Sequence, residues 1–379
     1  MPPLVIPILA LIPLGIAISL PMTAWLVRAG HAMGTLDSEG ADGHEKTLRR
    51  VPNIGGIAIY LAVAIPMLIG LLLVLIGPID TLADRISGLA DHVERLRSSV
   101  PVIAGLLGCL TVLHIMGLID DRRGMPPWPK LIVQIGAAAV MVIAFDVRLL
   151  ELLGPIGSCA VTILWIIVVT NAMNFMDNMD GLAGGVGLVA AALLMIATLV
   201  NAQWFIAATL ALLIGGLIGF LVFNRPPARI FMGDGGSLVL GFLLAVLTAR
   251  TTFYDSTDPE YALGTAWYGV FMPIVILAIP LYDFITVTAL RLSQGRSPFV
   301  GDQQHFSHRL VMRGLSERDA VLTICGAALV TGIGGISLGR LVWWQAMLVG
   351  VQTLTVLFVI LLVERSTRHI AQRDREQSS

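Results

Sequence analysis

Long apolar runs separated by short polar stretches make up most of this chain. Eleven such runs can be traced: Leu4–Val27, Ile54–Ile76, Val102–Ile119, Leu131–Phe145, Cys159–Thr170, Leu182–Val200, Trp204–Phe223, Ser237–Leu247, Thr265–Leu290, Ala320–Leu338 and Val342–Val363. A helix crossing a hydrocarbon core needs about 20 residues, and most of these runs reach or approach that length. Backbone groups in lipid must bond within their own segment, so each run predicts a helix. The pattern predicts an all-α polytopic membrane protein with about eleven transmembrane helices. Cys159–Thr170 and Ser237–Leu247 are short, and each is expected to continue into its neighbouring polar motif inside a protein-lined cavity. Pro273 and Pro280 interrupt the hydrogen-bond ladder of the ninth run and place Asp283 beside a broken helix. Between Pro78 and Pro101, Ile79, Leu82, Ile86, Leu89, Val93 and Leu96 recur at spacings of three and four. That stretch predicts an amphipathic helix lying on the outer leaflet, with self-association into a homodimer as its alternative role.

Composition supports the membrane reading. The chain has 379 residues, of which 56% are hydrophobic and 13% charged, whereas soluble domains carry about 25% charge. A formal net charge of −1 offers nothing to nucleic acid. The placement of charge is more informative than its sum. With the N-terminus outside, the inner segments hold 18 of the 24 Lys and Arg residues, as the positive-inside bias requires. The expected orientation is therefore N-terminus out and C-terminus cytoplasmic. One transmembrane catalytic domain covers residues 1–363, followed by a polar cytoplasmic tail, 364–379. Leu4–Val27 has no basic start and no cleavage site, and is read as a retained first span. Cys109, Cys159 and Cys325 fall in or beside apolar runs and form neither a disulfide framework nor a zinc site.

In this orientation the polar motifs share the cytoplasmic side. Asp120 and Asp121 end the third run, where adjacent carboxylates suit a metal-linked diphosphate or a proton acceptor. Asn171 to Gly181 is the densest motif, with Asn174, Asp177 and Asn178 on one helical face and Asp180 three residues beyond Asp177. A hard divalent cation takes oxygen ligands and keeps waters, so one or two carboxylates plus substrate phosphates suffice. Asn224 to Ser237 places Asp234 among glycines just before a helix, whose free N–H groups favour an anion. His305, His308 and Arg309 could offset a phosphate leaving group. Lys46 and Arg49 belong to a basic patch beside the inner leaflet, and anionic membrane lipid is its general partner.

Five motifs in order resemble the polyprenyl-phosphate N-acetylhexosamine-1-phosphate transferases: Pro52 to Gly56, Asp120-Asp121, Asn171 to Leu182, Met232 to Ser237 and the His305 loop. The sequence around Gly295 to Phe299 and His308 to Leu310 resembles the undecaprenyl-phosphate N-acetylglucosamine branch more than the phospho-N-acetylmuramoyl-pentapeptide branch. The resemblance implies transfer of a sugar 1-phosphate from a UDP-N-acetylhexosamine to polyprenyl (undecaprenyl) phosphate, with release of UMP. It implies Mg²⁺, with Mn²⁺ as a substitute, at the cytoplasmic face of the plasma (inner) membrane. Asp234 is implied as the principal metal ligand, with Asp177 and Asn174 beside it. Asp120 and Asp121 are implied near the lipid phosphate, Asp177 and Asp180 by the nucleotide, Asn224 and Phe231 in the uridine pocket, and His305 as the loop's first histidine. Lys46, Arg49, Asn174, Asn178, His308 and Arg309 complete the substrate-binding set. Asn178 stands where the family's run has its first glycine, and Ser307 where its loop has a middle histidine. The rival readings are a UDP-N-acetylmuramoyl-pentapeptide donor, a non-catalytic family member, and a transporter with an acid relay.

Overall fold

The computed structural model describes residues 3–33, 51–86, 88–150, 153–251, 267–297 and 305–377. Lys46 and Arg49 lie outside the described residues. The architecture is helical throughout. Its principal helices are α1 (Leu11–Met33), α2 (Gly56–Leu75), α3 (Val93–Arg123), α4 (Pro127–Ala139), α5 (Gly154–Met176), α6 (Leu182–Val200), α7 (Trp204–Asn224) and α8 (Asp234–Thr251). After these come α9 (Met272–Ile276), α10 (Ala278–Ser293), α11 (Phe306–Val311), α12 (Glu317–Ile333) and α13 (Trp343–Gln377). Among the described residues ten helices are long and apolar enough to cross a membrane, and the bent pair around Leu277 makes an eleventh.

The layering follows from which helices bury themselves. Inside α8, 89% of the span is covered by protein, against 11% of the last span, Trp343–Glu364. α8 is therefore the axis of the bundle, and α13 is a peripheral helix whose Leu354 and Phe358 remain exposed. Phe220 of α7 and Phe242 of α8 are fully buried. The two short runs lengthen as expected, Cys159–Thr170 into Gly154–Met176 and Ser237–Leu247 into Asp234–Thr251. The ninth run bends by 71° between Ile276 and Ala278, between its two prolines. The final helix runs past the end of its apolar run at Val363 to Gln377.

The outer segment departs from expectation. Pro78 to Pro101 does not form one helix along a leaflet. It splits into a short helix, Ile79–Ala83, a 3₁₀ turn, Ala90–His92, and the first turns of α3. Ile79, Ala83 and Val93 bury one another, with Leu89 and Val74 packed against them. Arg97 closes the turn on Asp80 at 2.8 Å. The apolar stripe finds protein partners in place of lipid, and a stripe's periodicity does not specify its partner.

Candidate active site

The site is assembled where α3 meets the start of α8. Gly117 lets the two backbones close up, since a Cβ there would lie 2.4 Å from Gly235 N. One turn before it, buried His114 reaches the Gly235 carbonyl through Nδ1 at 2.7 Å and stacks on Tyr60 at 4.3 Å. One turn after it, Asp121 accepts the backbone N–H groups of Asp234 and Gly235 at 2.9 and 3.1 Å. Asn53 donates to the same carboxylate at 3.1 Å. Gly233 takes φ +69° and brings the chain so close that a Cβ would meet Asp121 Oδ2 at 2.5 Å. Gly236 N and Ser237 N bond back to the Gly233 carbonyl. The anion at this helix start is thus Asp121 itself. The anion expected at these N–H groups is supplied by the protein's own carboxylate.

Beside this cap lies an acid cluster spanned by one ammonium. Lys130 Nζ, on α4, donates to Asp120 Oδ2 at 2.7 Å and to Asp234 Oδ2 at 3.3 Å. Asp120 also accepts Met125 N at 2.5 Å. Asn174 Nδ2 donates to Asp234 Oδ1 at 2.9 Å and to Ser237 Oγ at 2.8 Å. Asp177 follows the last helical residue of α5 and lies near enough to Asp121 to interact with it electrostatically. Asp120, Asp121, Asn174, Asp177 and Asp234 are therefore brought together. The sequence reading counted Lys130 only as a loop charge. Its signal was a polar stripe on an apolar helix: Gln134, one turn on, is buried and accepts Asn171 Nδ2 at 2.6 Å.

Other predicted residues hold walls. Asp180 Oδ2 accepts Ala228 N at 2.9 Å, and Asn224 bridges Gly181 N and the Ile230 carbonyl at 3.0 and 2.8 Å. Asn224 is buried, and both ends of its carboxamide anchor this loop. Phe231 is half-buried, and its backbone bonds to Pro52 and Gly55, which ties the Pro52 to Gly56 motif to this loop.

The histidine loop docks on the bent span. Asp283, 1% exposed, accepts His305 Nδ1 at 2.8 Å and Phe306 N at 2.7 Å. His305 meets the Phe175 ring edge-on at 5.5 Å and lies 6.3 Å from the His308 ring. Ser307 Oγ donates to Asn178 Oδ1 at 2.5 Å. Arg309 pairs with Glu364 of α13 at 2.7 Å, and Tyr282 donates to the other oxygen of that carboxylate at 2.9 Å. One Arg309 nitrogen thus ties the histidine loop to the last helix. Sequence reading missed Glu364, and nothing in its local context marks it.

An apolar groove of about 320 Å³ runs between α5 and the bent span, lined by Leu164, Trp165, Val168, Phe271, Pro273 and Ile274 among others. The groove also takes in Leu149 and Leu150, and Asn174 lies about 9 Å beyond Val168 along the same helix.

Residues 103–252 match the family model described as glycosyl transferase family 4. The match takes in the acid cluster and Lys130, while Asp283 and His305 lie beyond it. The chain is 31% identical over 297 residues to a decaprenyl-phosphate N-acetylglucosaminephosphotransferase of Mycolicibacterium smegmatis, covering 72% of this chain and 68% of that one. It is 27% identical to an undecaprenyl-phosphate alpha-N-acetylglucosaminyl 1-phosphate transferase of Escherichia coli K12, covering 75% and 72%. It is 28% identical to a phospho-N-acetylmuramoyl-pentapeptide-transferase of Levilactobacillus brevis, covering 82% and 90%.

Proposed function

From the premise that this chain belongs to glycosyl transferase family 4, we propose that it transfers an N-acetylhexosamine 1-phosphate from a UDP-sugar to polyprenyl phosphate and releases UMP. UDP-N-acetylglucosamine is the donor favoured by the relatives' names. The carrying observation is the Lys130 ammonium held between Asp120 and Asp234, with an apolar groove elsewhere on the Gly154–Met176 helix. A groove of that kind suits an isoprenoid chain, and the cluster suits its phosphate and a diphosphate beside it. The active site opens to the cytoplasm in this reading, because that orientation puts most basic residues inside.

In the reaction, an oxygen of the lipid phosphate bonds to the β-phosphorus of the UDP-sugar. The bond from that phosphorus to the bridging oxygen breaks, and its electron pair leaves with UMP. Catalysis of this kind is mainly positioning and charge neutralisation. Lys130 holds positive charge where phosphate oxygens crowd. Asp120, already bonded to Lys130, is placed to accept a proton from the lipid phosphate. Asp283 on Nδ1 orients the His305 ring and leaves Nε2 to exchange a proton with the leaving phosphate.

The donor set also fits a hard divalent cation, since Asp120 and Asp234 share one ammonium and Asp121 lies close enough to Asp234 and Asp177 to interact with both. Among the described residues no group of three or more His, Cys, Asp or Glu side chains forms a ready ion site, and Mg²⁺ typically takes one or two carboxylates plus substrate phosphates. Asp234 and Asp177, with Asn174, would hold it, and it would supply charge neutralisation of the diphosphate.

The test uses solubilised full-length protein with polyprenyl phosphate, Mg²⁺ and a panel of labelled UDP-sugars, including the muramoyl-pentapeptide donor. UMP release that requires the lipid is expected. No release from any UDP-N-acetylhexosamine would overturn the proposal in favour of a non-catalytic member.

A further inference from the structure

We infer that Asn178 and Ser307 are a matched pair of positioning residues that fixes His305 against the acid cluster. This rests on the transfer reaction proposed above. Ser307 is 2% exposed in the first turn of α11, two residues after His305. A hydroxyl so buried needs an acceptor, and it has Asn178 Oδ1 at 2.5 Å, across 129 residues of sequence. The other end of that carboxamide donates to the Phe175 carbonyl at 2.6 Å. The amide is therefore spent twice, once on its own helix end and once on the histidine loop.

The consequence falls on His305. Its ring touches Phe175, the residue whose carbonyl Asn178 holds. The Arg291 guanidinium lies over the same Phe175 ring at 5.0 Å. Asp283 orients the imidazole from α10, while the Asn178–Ser307 bond ties the loop to the α5 end that carries Asp177. The first attachment sets which nitrogen is protonated, and the second sets where the ring stands relative to the carboxylates. Neither Asn178 nor Ser307 ionises near neutral pH, so neither serves as an acid or base.

By the resemblance drawn from the sequence, these are the two positions at which a glycine and a histidine were expected. Their contact makes the departures a single exchange. A glycine at 178 would remove the acceptor and strand the Ser307 hydroxyl. A bulkier side chain at 307 would press on Asn178, which the Ser307 hydroxyl already contacts.

Kinetics of UMP release and deuterium uptake of the peptide spanning 305–312 test the pair in the full chain. Ser307→Ala is expected to lower kcat about 10-fold, with KM for the UDP-sugar within about 2-fold, as loss of one buried positioning bond implies. It is also expected to speed amide exchange in that peptide. Asn178→Gly and Ser307→His should each impair kcat, and Asn178→Gly/Ser307→His together should recover most of the loss. An unchanged kcat and unchanged exchange in Ser307→Ala overturn the inference, as does a double variant no better than the worse single one. If the glycine variants do not fold, Ser307→Ala decides, since it removes one oxygen only. Wild-type protein without UMP release sinks the transfer reading, while the exchange measurement still decides whether the bond holds the loop.

Discussion

Lys130 Nζ stands 3.3 Å from the Asp234 carboxylate, although 104 residues separate them in the chain. That ammonium also bonds Asp120, so α3, α4 and α8 meet on a single cation. Without it two carboxylates would face each other with little water between them. Lys130→Met is expected to lower kcat for UMP release by about 10²–10³-fold, the usual loss when a preorganised charge is removed. Lys130→Arg should recover part of it. A Lys130→Met enzyme within threefold of wild type would remove this residue from the mechanism.

The two adjacent acids should separate in their behaviour. Asp121 caps the α8 start, and an asparagine there turns one acceptor into a donor facing an N–H. Asp121→Asn is expected to destabilise by about 1–3 kcal/mol, read as a lower unfolding temperature of the solubilised protein. Asp120→Asn keeps an acceptor for Met125 N and should chiefly lower kcat. Equal melting curves for the two variants would contradict the capping role.

Arg309 and Glu364 are 14% and 10% exposed at their side chains. Removing one partner of such a pair leaves a charge stranded, at a cost of about 3 kcal/mol. Glu364→Ala should therefore melt earlier than Glu317→Ala, and should loosen the histidine loop. Identical melting of these two variants would show that the last helix does not hold the loop.

A charge in the groove should affect one substrate only. Val168→Arg or Ile274→Arg is expected to raise KM for polyprenyl phosphate about 10-fold while KM for the UDP-sugar holds, because only lipid binding is disturbed. A rise in both would indicate a general distortion.

Single cysteines at Gly124 and Ser316 test orientation in intact cells. Both should resist an impermeant thiol reagent added from outside. Labelling of either would place its end of the bundle on the outer side and remove the cytoplasmic site.

What the sequence determined by itself was the set of helices and the chemistry at their ends. Apolar length dictates a span because backbone groups in lipid have no other partner. The short fifth and eighth runs had to borrow residues from their motifs, and the ninth had to break near its prolines. Asp120, Asp121, Asn174, Asp177 and Asp234 were legible because so many oxygens at span ends need a common purpose. Partnership was decided only by the fold. The cap on α8 comes from α3, not from the residues before Asp234, so no local pattern announces it. Lys130, Glu364 and the Asn178–Ser307 bond acquire meaning from side chains far along the chain. The Pro78 to Pro101 stripe shows the same limit: spacing states that a face is apolar, and only packing states what covers it.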